Sequence, residues 1–315
     1  MSTSEAPWAM TAFGMRIVAD ICLPGASRRR EDGEEPDLLL RSVPRADLED
    51  LTASPRYLRY LHSYEGCGYA MLEGVDGDVL FHYRERALFH LSAGRHVLRC
   101  AVSESGTAWQ RVLLDTVLWT VSLLKGFELL HAGAVVTSHG LIAVVGTSGA
   151  GKTTLATELL RRGGTLFADD ILALEARGDE VIAYPGPSLM NLPRSVEPWD
   201  PDAWDVLAEL GDERWISVHR VPPLPQPVRA IVLLTPGATA AECVVVSQTS
   251  LALLPYMVTF THLIERRRQQ FEVAGALAAG ASLLALSRPS RADPAGLVDL
   301  ILESLESDAT ARMNV

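Results

Sequence analysis

The stretch Leu141-Ile-Ala-Val-Val-Gly146-Thr147-Ser148-Gly149-Ala150-Gly151-Lys152-Thr153-Thr154 decides how this chain is read. A short apolar run with the pattern of a strand leads straight into a glycine-rich loop, and residues 153–161 continue as a helix. In that context the loop is a phosphate cradle. Successive backbone N–H groups turn inward on phosphate oxygens, and the positive end of the helix dipole adds to the attraction. Gly146, Gly149 and Gly151 permit the tight path, with Thr147, Ser148 and Ala150 between them. Lys152 is placed to reach the β- and γ-phosphates, and the Thr153 hydroxyl to meet Mg²⁺, with Thr154 next along the helix. The motif predicts an α/β fold that binds a nucleotide. Alone it is silent on the reaction.

A second feature follows at the end of the next strand, Thr165-Leu-Phe-Ala-Asp169-Asp170. Adjacent carboxylates at a strand end point in different directions. One could complete a Mg²⁺ shell while the other faces an incoming hydroxyl as general base. A plain turn is the alternative, since Asp is common there. Proximity to a phosphate loop favours function, because the metal on the phosphates needs carboxylate ligands.

Outward from these motifs, residues 132–136 and 141–145 read as adjacent strands joined at Ser138-His139-Gly140, and residues 107–125 as an amphipathic helix. Further strands are predicted at 165–168, 171–175, 181–184, 216–218, 230–234, 243–246 and 282–286. Residues 185–201, rich in proline, read as loop; 251–279 as helix broken near Thr261; 295–306 as a last helix, with fraying after Ser307. The first hundred residues read as β, with strands at 15–23, 37–43, 68–75, 79–84, 87–91 and 96–102. Val75-Asp-Gly-Asp78 has the chemistry of a hairpin turn. The expected division is a β-rich domain over 1–105 and a phosphate-loop domain over 106–315.

The net charge of −11 gives no general attraction to nucleic acid. The short runs Arg28-Arg29-Arg30 and Arg266-Arg267-Arg268 read as solvent faces. The four cysteines lack the spacing of a zinc site or a disulfide framework. His82, His90 and His96 read as surface or half-buried strand residues rather than metal ligands. The N-terminus has no signal-peptide pattern and no apolar run is long enough to span a bilayer, so the expected setting is the cytoplasm.

Taken in order, His131-Ala-Gly-Ala-Val-Val136, then Gly146 to Thr153, then Leu166-Phe-Ala-Asp169-Asp170 resembles the catalytic domain of HPr kinase/phosphorylase. More loosely the resemblance covers residues 107–306, and the opening Ala12-Phe-Gly-Met-Arg is similar to the shorter HPr-kinase-related proteins, lasso-peptide kinases among them. The resemblance implies a P-loop kinase domain of the HPr kinase/phosphoenolpyruvate carboxykinase type, a mixed sheet with flanking helices, behind a β-rich N-terminal region. It makes Asp169 the base that deprotonates the acceptor, Asp170 a metal-side carboxylate and His131 a neighbour of the reacting phosphates, beside Lys152. Two departures stand out. Thr154 occupies the place of the family's Glu after the loop, and the downstream Arg-Gly-x-Gly signature is missing, which weakens HPr itself as substrate and the reverse phosphorolysis.

The expectation is therefore a kinase using ATP and Mg²⁺ to phosphorylate a hydroxyl, a serine of a small protein or ribosomally made peptide. A small-molecule kinase and a nucleotide-sensing module are the rival readings, and a homo-oligomer is left open. Arg214 and Arg220 are the candidates for a second cation at the transferring group.

Overall fold

The computed structural model describes residues 7–28, 34–52, 54, 57–64, 69–83, 87–102, 107–178, 180–196, 199–200, 202–219, 223–246, 250–258 and 266–313. They form two compact units, one ending at Phe127 and the other beginning at Glu128. The helix after residue 106 therefore groups with the first unit, where a boundary at 105/106 would assign it to the second.

The first unit is a nine-stranded sheet: β1 (Trp8–Ala12), β2 (Met15–Ala19), β3 (Ser27–Arg28), β4 (Leu38–Ser42), β5 (Tyr57–Tyr64), β6 (Tyr69–Gly74), β7 (Val79–Tyr83), β8 (Ala87–Leu91) and β9 (Val97–Val102). Alternating apolar residues such as Ile17, Leu38, Leu40, Leu98 and Cys100 are buried. The short helix α1 (Ala46–Thr52) packs Leu48 on Leu88 and Ala101. The turn at Asp76-Gly77 forms as expected, with Gly77 at φ 82°. A helix follows as α2 (Ala108–Val112), a π-helical turn (Leu113–Val117) and α3 (Leu118–Lys125).

His90 corrects one expectation. It is buried rather than at the surface or half-buried: its Nε2 lies 2.6 Å from the buried Asp78 carboxylate, and Arg99 donates to its Nδ1. The pairing replaces the water these groups lose, which makes it structural chemistry.

The second unit opens with β10 (Glu128–Thr137), β11 (Gly140–Val145), α4 (Lys152–Arg161), β12 (Thr165–Ala168), β13 (Ile171–Arg177) and β14 (Glu180–Tyr184). A separate three-stranded sheet comes next, from β15 (Leu189–Pro193), β16 (Trp204–Leu210) and β17 (Glu213–Val218), in the order β15-β17-β16. The chain then returns to the main sheet with β18 (Gln226–Pro236) and β19 (Glu242–Val245), followed by α5 (Arg267–Gly280), β20 (Ser282–Arg288) and α6 (Pro294–Met313). The main sheet runs β11-β10-β13-β14-β18-β20-β19, with β12 also on β10 and β11 also on β18.

Strands β11, β18 and β20 are parallel neighbours, so their C-terminal ends gather at one edge of the sheet. Helices α4 and α6 cover one face through Leu155, Leu159, Leu297 and Ile301; α5 covers the other through Val273, Ala274 and Leu277.

Four expectations in this unit are corrected. Residues 189–193, read as loop, are strand β15, paired throughout with β17. Helix α5 begins only at Arg267; residues 250–256 make two short 3₁₀ turns, and Met257 bridges Leu130. Helix α6 does not fray after Ser307, because Ser307 and Thr310 bond to carbonyls one turn back and Asp308 accepts a hydrogen bond from Ser282. Arg266, expected on a solvent face, instead pairs at 2.6 Å with buried Glu128. Thr261 lies outside the described residues.

Candidate active site

The loop between β11 and α4 has the geometry its sequence requires. Gly149 and Gly151 take φ of 75° and 108°, left-handed values that a Cβ would oppose. Helix α4 starts at Lys152, so the N–H groups of its first turn lack partners within the helix, as at any helix start. Lys152 is only 7% exposed, and its Nζ donates to the carbonyl of Gly146 at 3.1 Å and of Thr147 at 3.5 Å.

A second cation reaches the same loop from the end of β20. Arg288 donates from Nε at 2.8 Å and from Nη2 at 2.5 Å to the Ala150 carbonyl, and from Nη1 to Pro289 O at 3.2 Å. Among the described residues neither Lys152 nor Arg288 has a carboxylate partner. Two positive charges thus hold the carbonyl side of the loop with no carboxylate on either among the described residues, which favours an anion on the N–H side.

Sequence reading missed Arg288 and looked instead to Arg214 and Arg220. Arg214 is used elsewhere: it donates to Val196 O at 2.6 Å and lies over the Trp204 ring. Arg220 lies outside the described residues. Its place at the end of an apolar strand was a partial signal, but it does not say which loop that strand end meets. In α/β sheets, ligands gather at the carboxyl ends of parallel strands.

The acidic pair sits where the chain leaves β12 for β13, two segments that pair with successive parts of β10. Asp170 turns this corner at φ 61°, a left-handed conformation that Asp tolerates better than most residues but that still costs energy. The corner is tied down by Ile171 N–H on Asp169 O at 2.7 Å and by Ala132 N–H on Asp170 O at 2.9 Å. His131 Nε2 stands 3.8 Å from the Asp170 carboxylate, beyond hydrogen-bond range but within electrostatic reach. The Asp169 Oδ2 accepts the backbone N–H of Asn191, on β15, at 2.7 Å.

Strand β10 brings the two motifs together. Ala132 lies opposite Val145, the residue before the loop, on one side, and bonds to Asp170 on the other. Loop entrance and acidic corner are therefore two strand spacings apart, roughly 10 Å, with His131 on the strand between them. Among the described residues no group of three or more His, Cys, Asp or Glu could hold a metal by itself. A cation here would need ligands beyond the protein, such as phosphate oxygens, with the Thr153 hydroxyl and the Asp170 carboxylate as the oxygen donors the two motifs could offer.

Among the described residues no helix is long and apolar enough to cross a membrane. No family model matches the chain, and no curated protein matches it. Among solved structures, the chain is similar to the HPr(Ser) kinase/phosphatase from Coxiella burnetii, at 13% identity and a TM-score of 0.31, over 59% of this chain and 99% of that one. A likeness at that score is too remote to argue from, and the residues themselves must carry the functional reading.

Proposed function

We propose that this chain is an ATP- and Mg²⁺-dependent phosphotransferase that moves the γ-phosphoryl group to a hydroxyl, the serine of a small protein or ribosomally made peptide in a cytoplasmic setting. The observation that carries the reading is the pair of cations, Lys152 and Arg288, fixed on one phosphate loop with no carboxylate on either among the described residues.

Phosphoryl transfer needs positioning and charge neutralisation more than covalent help. Mg²⁺-ATP supplies the phosphoryl group and part of that neutralisation. On the protein side, the N–H groups of residues 146–153 bind the phosphates, and Lys152 exchanges the loop carbonyls for phosphate oxygens. Thr153 and Asp170 hold the metal, Asp169 takes the proton of the acceptor hydroxyl, and His131 stands beside Asp170 to orient it. The β-rich residues 1–105 are assigned acceptor recognition in this reading.

The test has two readouts. Calorimetry with ATP and Mg²⁺ should show binding that Lys152→Ala weakens or removes. Mass spectrometry of serine-containing peptides encoded beside the gene, after incubation with protein, ATP and Mg²⁺, should show one added phosphate. Unchanged affinity and turnover in Lys152→Ala would sink the phosphate-loop assignment. Binding without transfer to any peptide, or transfer only to small alcohols, would favour a nucleotide sensor or a small-molecule kinase respectively.

A further inference from the structure

Strand β15 meets the acidic corner edge-on, and the alternation of its ladder tells which of its groups face outward. Val218 N–H donates to Ser188 O and Arg194 N–H to Asp212 O, each at 2.8 Å. In an antiparallel pair this places residues 188, 190, 192 and 194 in the hydrogen-bonded pairs with β17. Leu189, Asn191 and Pro193 therefore turn their main-chain groups away from β17. All three outward donor positions are accounted for. Leu189 N–H donates to Pro187 O at 2.8 Å, Pro193 has no N–H, and Asn191 N–H ends on Asp169. With no spare donor, this edge cannot take up a further strand by regular pairing, so it does not serve as a dock for an extended peptide.

We infer that the main-chain N–H of Asn191 is a positioning group for phosphoryl transfer, fixing the Asp169 carboxylate in the orientation from which it meets the acceptor hydroxyl. The inference rests on the reading of Asp169 as base. The backbone bonds at Asp169 O and Asp170 O fix only the main chain of the corner; the side-chain torsions of Asp169 need a partner of their own. That partner comes from a strand that is itself locked by pairing with β17, so the hydrogen bond arrives pre-organised. Groups that act in the transition state gain most from such fixing. A main-chain donor also explains why no particular side chain at position 191 announces the role.

The probe is basal ATP hydrolysis, with water as the acceptor, so no peptide need be known. Replacing residue 191 by its α-hydroxy acid counterpart turns the amide into an ester, which removes this N–H and weakens the Met190 carbonyl as an acceptor in the β17 ladder. The same replacement at Leu192 removes an N–H belonging to the β17 ladder. The 191 ester should lose about 10- to 100-fold in kcat, the worth of one hydrogen bond to a charged group, with KM for ATP unchanged. The 192 ester should keep its kcat while losing similar thermal stability. Asn191→Pro is a second route to the first result, since Pro193 already occupies an equivalent outward position, and calorimetric ATP affinity reports whether it is folded.

Hydrolysis by the 191 ester at the wild-type rate, or equal losses in both esters, overturns the inference. Asp169→Asn separates the two levels. If it hydrolyses ATP normally, the reading of the base fails and the inference with it. If it is impaired while the 191 ester is not, the inference alone fails.

Discussion

The phosphate loop and the acidic corner solve the same problem, presenting charged groups in a fixed geometry, by opposite means. The loop is made of consecutive residues, and its left-handed positions are glycines, which adopt them at no steric cost. The corner is assembled from β10, the β12–β13 junction and β15, and its left-handed position is an aspartate. A binding cradle can be local because its donors are main-chain N–H groups present at every residue. In the proposed reading a base and a metal ligand must be particular side chains, which would account for an aspartate at a backbone angle that glycine would hold more easily. Strain is tolerated where the surrounding bonds over-determine it, and three separate segments do so here.

The largest effect that would break this comparison concerns the base. Asp169→Asn keeps the shape and cannot take a proton, so transfer should fall by about 10²–10⁴-fold. ATP affinity should barely move, because in the proposed reading Asp169 meets the acceptor rather than the nucleotide or its metal. Rates of phosphate transfer alongside calorimetric titrations check both halves. A loss of ATP affinity as large as the loss of rate would mean that the two regions act as one binding site.

The next effect sharpens the role of Arg288. Arg288→Ala removes the guanidinium from the Ala150 carbonyl and leaves Lys152 on the loop. ATP and ADP affinities should both fall about tenfold, or about 1.4 kcal/mol, because the loop that cradles both is loosened. Arg288→Lys should recover less than half of this in free energy, having no fork to hold one oxygen through two nitrogens. Titration of both nucleotides against the three proteins decides it. A loss confined to the transfer rate would instead make Arg288 a group that acts on the transferring phosphoryl.

What the sequence disclosed follows the same division between local and assembled structure. The loop, its strand and its helix were legible because glycine, lysine and an apolar run settle them within a few residues. The strands over 87–91 and 165–168 were legible for a similar reason, short apolar runs bounded by turn residues. Strand β15 was hidden. Its partner β17 lies more than twenty residues away, it carries Pro193, and the prolines before it mimic a loop. Arg288 was hidden because only the parallel order of β11, β18 and β20 brings it to residue 150. The apolar residues before Arg267 suggested an early start to α5, yet Leu253, between the two 3₁₀ turns, and Met257, just after them, are buried against the sheet. His90 looked like a surface or half-buried strand residue because Asp78, its partner, sits across a hairpin rather than at helical or metal-ligand spacing.

The smallest effect bears most directly on the strain at the corner. Asp170→Gly should relieve the left-handed backbone while giving the unfolded chain more freedom, and the first term is the larger at φ 61°. The gain should be about 0.5–1 kcal/mol, read as a higher midpoint in urea with an unchanged slope. The carboxylate lost in exchange is half exposed and only 3.8 Å from His131, so its ion pair holds little stability. Transfer should nevertheless fall, and extra Mg²⁺ or Mn²⁺ should restore part of it in Asp170→Asn, which keeps the tolerance for a left-handed angle and some metal-binding oxygen. A protein that becomes more stable and less active on the same substitution would show that Asp170 is kept for its carboxylate against the preference of its backbone. A less stable Asp170→Gly protein would place the aspartate among the groups that hold the corner together, and the contrast with the glycine-built loop would then rest on folding rather than on chemistry.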